Sequence, residues 1–78
     1  MTTPSESLDL VKAYLDERIF LKCRDNRTLT GILHSFDPHL NLIISDAEET
    51  YENSSKRHID MLFVRGDGII LMAPVESS

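Results

Sequence analysis

This sequence is short of positive charge. Its 78 residues hold 8 Lys and Arg against 13 Asp and Glu, a formal net charge of −5. Proteins that grip a phosphate backbone along its length present a basic face, so the balance argues against that mode of binding. A compact site that reads bases stays open. Cysteine is nearly absent too. Cys23 stands alone, which excludes an intrachain disulfide and fits a reducing compartment. No apolar run approaches the roughly 20 residues of a membrane helix. The opening residues, MTTPSESL, have neither the basic segment nor the apolar core of a signal peptide. The expectation is a soluble intracellular protein with no membrane partner.

A chain of this length makes one small domain, 1–78, whose core is marginal enough that partners, disulfides or metals often complete such folds. Residues 1–6 and 75–78 are expected as loose tails. Ser7 can cap a short helix, with Asp9 in its first turn where negative charge suits the helix dipole. Leu8, Val11 and Leu15 give that helix one apolar face. About two turns cannot persist alone, so the helix is expected to lie over an open end of β structure.

Arg18 to Arg24 alternates, with Ile19, Leu21 and Cys23 on one face. Asp25-Asn26 turns the chain, and Arg27 to Phe36 makes the second strand of a hairpin. Gly31 inside it marks a bend, a bulge or a close backbone approach. Asp37-Pro38 forces the next break, because proline cannot donate to a ladder. His39 to about Ala47 reads as the third strand, and Glu48 to Lys56 as a polar loop around Asn53-Ser54-Ser55. Ile59 to Val64 is the fourth strand. After Arg65-Gly66-Asp67-Gly68, where both glycines suit a tight turn of positive φ, Ile69 to Ala73 is the fifth, ended by Pro74.

The last two strands are apolar on both faces, through Met61, Leu62, Phe63 and Val64 and through Ile69, Ile70, Leu71 and Met72. Such strands are normally covered on both sides. Either a tightly curled barrel buries them, or their edges pair with neighbouring subunits.

Three side chains could carry chemistry. His39 and Asn41 leave a turn on one face, and Arg65 leaves another turn. Imidazole can stack on a base, an Asn amide can donate and accept along a base edge, and a guanidinium can cover the other face. Read plainly, His39 is a surface turn residue, Asn41 caps local backbone and Arg65 pairs with Asp67. Asp37 can orient His39 or Asn41, or simply open the turn before Pro38. Gly-Asp-Gly is no phosphate loop, because no helix follows it. His34, His39, His58 and Cys23 show no metal-ligand spacing, so no metal or cofactor is expected. Ser35, Asp37 and His39 lie too close together for a catalytic triad, and no elbow frames the serine. Asp46, Glu48 and Glu49 read as a solvated strand end.

Gly31, the segment Phe36-Asp37-Pro38-His39-Leu40-Asn41 and the segment Val64-Arg65-Gly66-Asp67 resemble the two sequence motifs of Sm and like-Sm proteins. The resemblance covers about residues 8 to 74. LDERIF, FDPHLN, DAEET and MLFVRGDG resemble a eukaryotic like-Sm paralogue that serves in two rings. It implies a mostly β fold, a short N-terminal helix followed by a strongly bent five-stranded antiparallel sheet, the Sm-like small barrel. It implies a ring of other like-Sm subunits, usually seven, joined by strand four of one and strand five of the next. It also implies binding to uridine-rich or 3′-terminal RNA, without catalysis. One such ring is nuclear and holds U6 small nuclear RNA; a cytoplasmic one promotes mRNA decapping and decay, so nucleus and cytoplasm are both implied. By the same resemblance His39 is the stacking residue, Asn41 reads the base edge, Arg65 supplies the second stacking face, and Asp37 and Gly66 support them. The connection Tyr51 to Lys56 is shorter than in close relatives, which puts the bodies of the third and fourth strands in question. The competing reading is a small β-barrel interaction module that binds protein segments by strand addition.

Overall fold

A computed structural model describes residues 8–75. The expected cap at Ser7 and the expected loose ends, apart from Val75, lie outside the described residues. The order is α1 (Leu8–Lys12), β1 (Arg18–Cys23), β2 (Thr28–Phe36), β3 (Leu42–Thr50), β4 (Lys56–Val64), a 3₁₀ turn (Gly66–Gly68) and β5 (Ile69–Pro74). The strands form one sheet, ordered β4-β3-β2-β1-β5, with every pair antiparallel. Val75 is held, not loose: its N–H donates to the Arg18 carbonyl at 3.0 Å.

The sheet is forced to curl. β4 and β5 lie at its opposite edges, yet only residues 65–68 join them. Across a flat sheet the edges would stand about 19 Å apart. That is beyond the reach of so short a link even fully extended, roughly 17 Å, and this link winds into a 3₁₀ turn. Two bulges supply the bend. Opposite Gly31, β3 carries one extra residue around Asp46, whose φ is 50°. Opposite Ile43 and Ile44, β2 carries one extra residue, His34. A Cβ on Gly31 would meet the Ser45 carbonyl oxygen at 3.1 Å and the Ala47 Cα at 3.2 Å, so this glycine serves close approach.

The inward faces make the core. Ile19, Leu21 and Cys23 of β1 are buried, as their alternation predicts, together with Leu29 and Leu33 of β2 and Leu42, Ile44 and Ala47 of β3. Each large member contributes about 1.5–3 kcal/mol. Val11 of α1 joins this core, with Leu8 and Tyr14 packed against it. Leu15, expected on that face, is exposed. The helix gives way after Lys12 to hydrogen bonds between residues three apart, such as Tyr14 N–H to Val11. In that tighter winding residues i and i+3 eclipse, so Tyr14 follows Val11 inward.

Three strand boundaries differ from expectation by about three residues. β3 starts at Leu42, after a loop, and runs on to Thr50; β4 starts at Lys56. The polar stretch read as a loop is the end of a hairpin, closed by a turn from Tyr51 to Ser55. Its rungs, Glu48↔His58, Glu49↔Arg57 and Thr50↔Lys56, carry no apolar signal; Glu49 pairs with Arg57 directly across the strands and Glu48 with Lys56 on the diagonal. Pairing runs from Leu42↔Val64 to Thr50↔Lys56, so the short connection leaves both strand bodies intact.

Glu49 corrects the solvated acidic run. Its exposure is 0%, because the bulge at Asp46 shifts the inward phase of β3 from Leu42 and Ile44 to Ala47 and Glu49. Arg27 (2.5 Å), Arg57 (3.1 Å) and the Tyr51 hydroxyl all donate to its carboxylate. Burial pushes this carboxyl up, but hydrogen bonds from Tyr51 and Arg27, with the charges of Arg27 and Arg57, outweigh it and hold the group below its ordinary value.

Candidate functional site

Two loops meet at one end of the barrel. The first, between β2 and β3, contains Asp37, Pro38, His39, Leu40 and Asn41. Asp37 builds it. One carboxylate oxygen accepts from the backbone N–H groups of His39 (2.9 Å) and Asn41 (3.0 Å), and the other accepts from the Asn41 amide nitrogen (3.0 Å). Backbone bonds from Leu40 N–H to Asp37 and from Asp37 N–H to Asn41 close the turn. Leu40 takes a positive φ of 59° and drops its side chain into the core. His39 is left exposed beside it. The hydrogen bond from the Asn41 side chain, helped by those two backbone donors, lowers the Asp37 carboxyl from its ordinary value.

The second loop, between β4 and β5, contains Arg65, Gly66, Asp67 and Gly68. The Asn41 side chain joins the two, its Oδ1 accepting from the Gly66 N–H at 2.8 Å. Gly66 lies against the first loop so closely that a Cβ there would sit 2.2 Å from the His39 carbonyl oxygen and 2.8 Å from that of Leu40. Neither Gly66 nor Gly68 has a positive φ, so the expected turn conformation is not their reason. Gly66 is required by contact, and Gly68 has nothing within 4 Å of an added Cβ.

Arg65 stays at the surface, with its side chain 75% exposed, and pairs with Asp67 at 3.1 Å. The plain reading of Arg65 is therefore realised, while Gly66, next to it in the chain, lies against the loop that carries His39 and Asn41. An Asn amide offers two N–H donors and two acceptor lone pairs. Within the chain Asn41 uses one donor on Asp37 and one lone pair on Gly66. One donor and one acceptor remain without a partner among the described residues.

Sequence reasoning missed a third member of this end. Arg24, read as an outward residue of β1, donates from Nε to the Asp67 carbonyl at 2.9 Å and from its backbone N–H to the Gly68 carbonyl at 2.9 Å. No periodicity could have found it, because it follows the last β1 residue and acts across 43 positions.

The strands read as apolar on both faces divide. Val64 is buried in the core of its own chain, and Leu62, Ile69 and Met72 pack partly against that core; Leu71 is half-buried. Met61 (55% exposed), Phe63 (61%) and Ile70 (43%) face outward. All belong to the two strands that end the sheet, each with an unpaired outer edge among the described residues. Elsewhere on the surface, Asp46 accepts from Arg18 (2.8 Å) and sits 2.7 Å from His58 Nε2. The His58 hydrogen bond, then Arg18, lowers the Asp46 carboxyl, and Asp46 raises the His58 imidazole. Among the described residues no cluster of His, Cys, Asp or Glu could hold a metal ion. No described helix is long and apolar enough to cross a membrane.

The family model described as the LSM domain matches residues 9–74. Sm-like protein LSM3B of Arabidopsis thaliana is 49% identical over 85 residues, covering 92% of this chain and 87% of its own length. A probable U6 snRNA-associated Sm-like protein LSm3 of Dictyostelium discoideum is also 49% identical over 85 residues, with coverages of 92% and 88%. Both alignments are longer than this 78-residue chain, so the relatives carry residues inside the match that it lacks. Among solved structures, the heptameric SmAP1 of P. aerophilum superposes with a TM-score of 0.82 at 30% identity, covering 88% of this chain and 92% of that one. The Sm protein of Pyrococcus abyssii, solved in complex with a uridine heptamer, gives 0.82 at 25% identity, with coverages of 88% and 97%.

Proposed function

The chain belongs to the LSM domain family, and from that premise we propose that it is a non-catalytic RNA-binding subunit of a like-Sm ring, formed by one domain spanning 1–78. One observation carries the reading. The Asn41 amide, pinned between Asp37 and Gly66, keeps one donor and one acceptor free, on the loop that carries His39 and against the loop that carries Arg65. A uracil edge offers one N–H and flanking carbonyls, which complement that pair. His39 stacks on one face of the base and Arg65 covers the other by stacking or cation–π contact. Asp37 fixes the first loop, and Gly66 lets the second approach it. The relative named for U6 snRNA and the archaeal protein solved with uridines support this ligand class.

The subunits of the ring join edge to edge, β4 of one chain beside β5 of the next. Met61, Leu62, Phe63 and the Val64 backbone lie on one side of the joint, with Ile69, Ile70, Leu71 and Met72 on the other. Other like-Sm subunits complete a seven-membered ring, and the isolated chain can close on itself. The heptamer formed by the P. aerophilum protein supports the number. The finer roles are U6 RNA binding in nuclear splicing and mRNA decapping and decay in the cytoplasm.

The test is native mass spectrometry of the protein with and without oligouridine, followed by photocrosslinking of one 4-thiouridine in the assembled ring. A ring that crosslinks uridine at the loops 37–41 and 65–68 is expected. A stable monomer at micromolar concentration, or crosslinks confined to other surfaces, refutes it. The two open, apolar edges also favour the strand-addition module. That reading requires a protein segment to bind the monomer and oligouridine to leave it untouched.

A further inference from the structure

An acidic chain that binds RNA must place its few cations with care, and most here are already matched. Lys12, Arg18, Arg27, Lys56, Arg57 and Arg65 each lie 2.5–3.7 Å from a carboxylate. Among the described residues only Lys22 and Arg24 have no such partner. Lys22 lies within β1, across from Leu71 of β5. Arg24 lies against the loop that carries Arg65. Its Nε holds the Asp67 carbonyl while Arg65 holds the Asp67 carboxylate, so one residue stands between two guanidinium groups. The two terminal nitrogens of Arg24 have no hydrogen-bond partner among the described residues.

We propose that Arg24 binds the phosphate of the nucleotide whose base lies between His39 and Arg65. The inference rests on the RNA-slot reading and adds a ligand-binding residue to it. A guanidinium held at Nε presents its two remaining nitrogens as a planar fork, the geometry that suits two phosphate oxygens. The Asp67 carbonyl supplies the hold, and it leaves the guanidinium's full charge unopposed by a carboxylate. The labour then divides within one site. Asn41 reads the base, and Arg24 fixes the backbone without regard to sequence.

The experiment compares unmodified protein, Arg24→Gln, Arg24→Lys and Lys56→Gln, each as its assembled ring. Lys56→Gln changes net charge as Arg24→Gln does, but at the far tip of the β3–β4 hairpin. Affinities for oligouridine and oligocytidine are measured by fluorescence anisotropy between about 50 and 200 mM salt. Removing one cation that neutralises a phosphate flattens the slope of log K against log salt by about 0.7, a change of about 2.6-fold across that range. Arg24→Gln is expected to show that flattening with its uridine preference intact. Arg24→Lys restores the slope because the charge returns, and Lys56→Gln leaves it alone. An unchanged slope in Arg24→Gln overturns the proposal. So does loss of uridine preference at an unchanged slope, which would make Arg24 only a brace for the loop. If unmodified protein shows no preference for oligouridine, the slot itself fails and Arg24 with it; if the preference holds and only the Arg24 slope is unmoved, Arg24 alone fails.

Discussion

Gly66→Ala and Gly68→Ala place one methyl group two residues apart in the same loop and should have opposite outcomes. At Gly66 the added carbon would lie 2.2 Å from the His39 oxygen, 2.8 Å from the Leu40 oxygen and 2.9 Å from the Leu40 carbonyl carbon. All three are backbone atoms, in a loop fixed by the Asp37 carboxylate, so no side chain can swing aside. Relief takes a separation of the loops by about 1 Å, which overpacking measurements put at roughly 1–3 kcal/mol. The same movement stretches the 2.8 Å bond from Gly66 N–H to Asn41 beyond hydrogen-bond range. Losing it adds about 1 kcal/mol. The expected total is therefore about 2–4 kcal/mol. At Gly68 an added methyl meets nothing within 4 Å and φ is not positive. There, reduced freedom of the unfolded chain leaves stability unchanged or raises it by about 0.4–1 kcal/mol. Urea unfolding at one fixed protein concentration reads both, since stability of an assembly depends on concentration. Oligouridine affinity should fall for Gly66→Ala and persist for Gly68→Ala. Equal stability of the two variants would refute the contact argument.

Asn41→Ala should relax the preference for uridine over cytidine; because it also cuts the bonds to Asp37 and Gly66, it should cost about 1–2 kcal/mol in urea unfolding, and an unaltered base preference would count against the slot. Phe63→Lys places a charge on the open β4 edge and should shift the protein toward monomer in analytical ultracentrifugation while circular dichroism stays native. Asp37, Asp46 and Glu49 are held below their ordinary values, so their contribution is complete above the ordinary carboxylate range and is lost as pH falls through the folded values; thermal unfolding against pH should show this acid loss. His58 runs the other way: its raised value contributes fully below 6.5 and is lost as pH rises through the folded value, and Asp46→Asn should move its NMR titration back toward 6.5.

How far the sequence could be read depended on whether burial followed a single phase. β1 and β2 keep theirs, so Ile19, Leu21, Cys23, Leu29 and Leu33 were legible from alternation. The loops were legible from Asp37-Pro38 and from the glycines after Val64, since turn residues interrupt apolar runs. Glu49 was not. A strict period from Leu42 and Ile44 puts Asp46 and Glu48 inward and Glu49 outward, and one residue in the left-handed region at Asp46 reverses that. The hairpin end was lost for a different reason. It is held by cross-strand ion pairs, Glu49 with Arg57 and Glu48 with Lys56, and hydrophobic pattern has no symbol for them. Gly66 was located correctly but explained by torsion when distance is the cause, and a distance of that kind involves His39 and Leu40, in a loop far back in the chain.

The open outer edges of β4 and β5 make each chain the equivalent of a bifunctional monomer in polymer chemistry. A linear run of such units has two reactive ends at any length, and only cyclisation consumes both. A chain blocked on one edge, as by Phe63→Lys on β4, is then a chain stopper: its intact β5 edge still joins a growing arc, and its blocked edge prevents closure. Mixed with unmodified subunits, such a variant should reduce the yield of closed rings well beyond its own share of the mixture, because one terminator disables every unit in its arc.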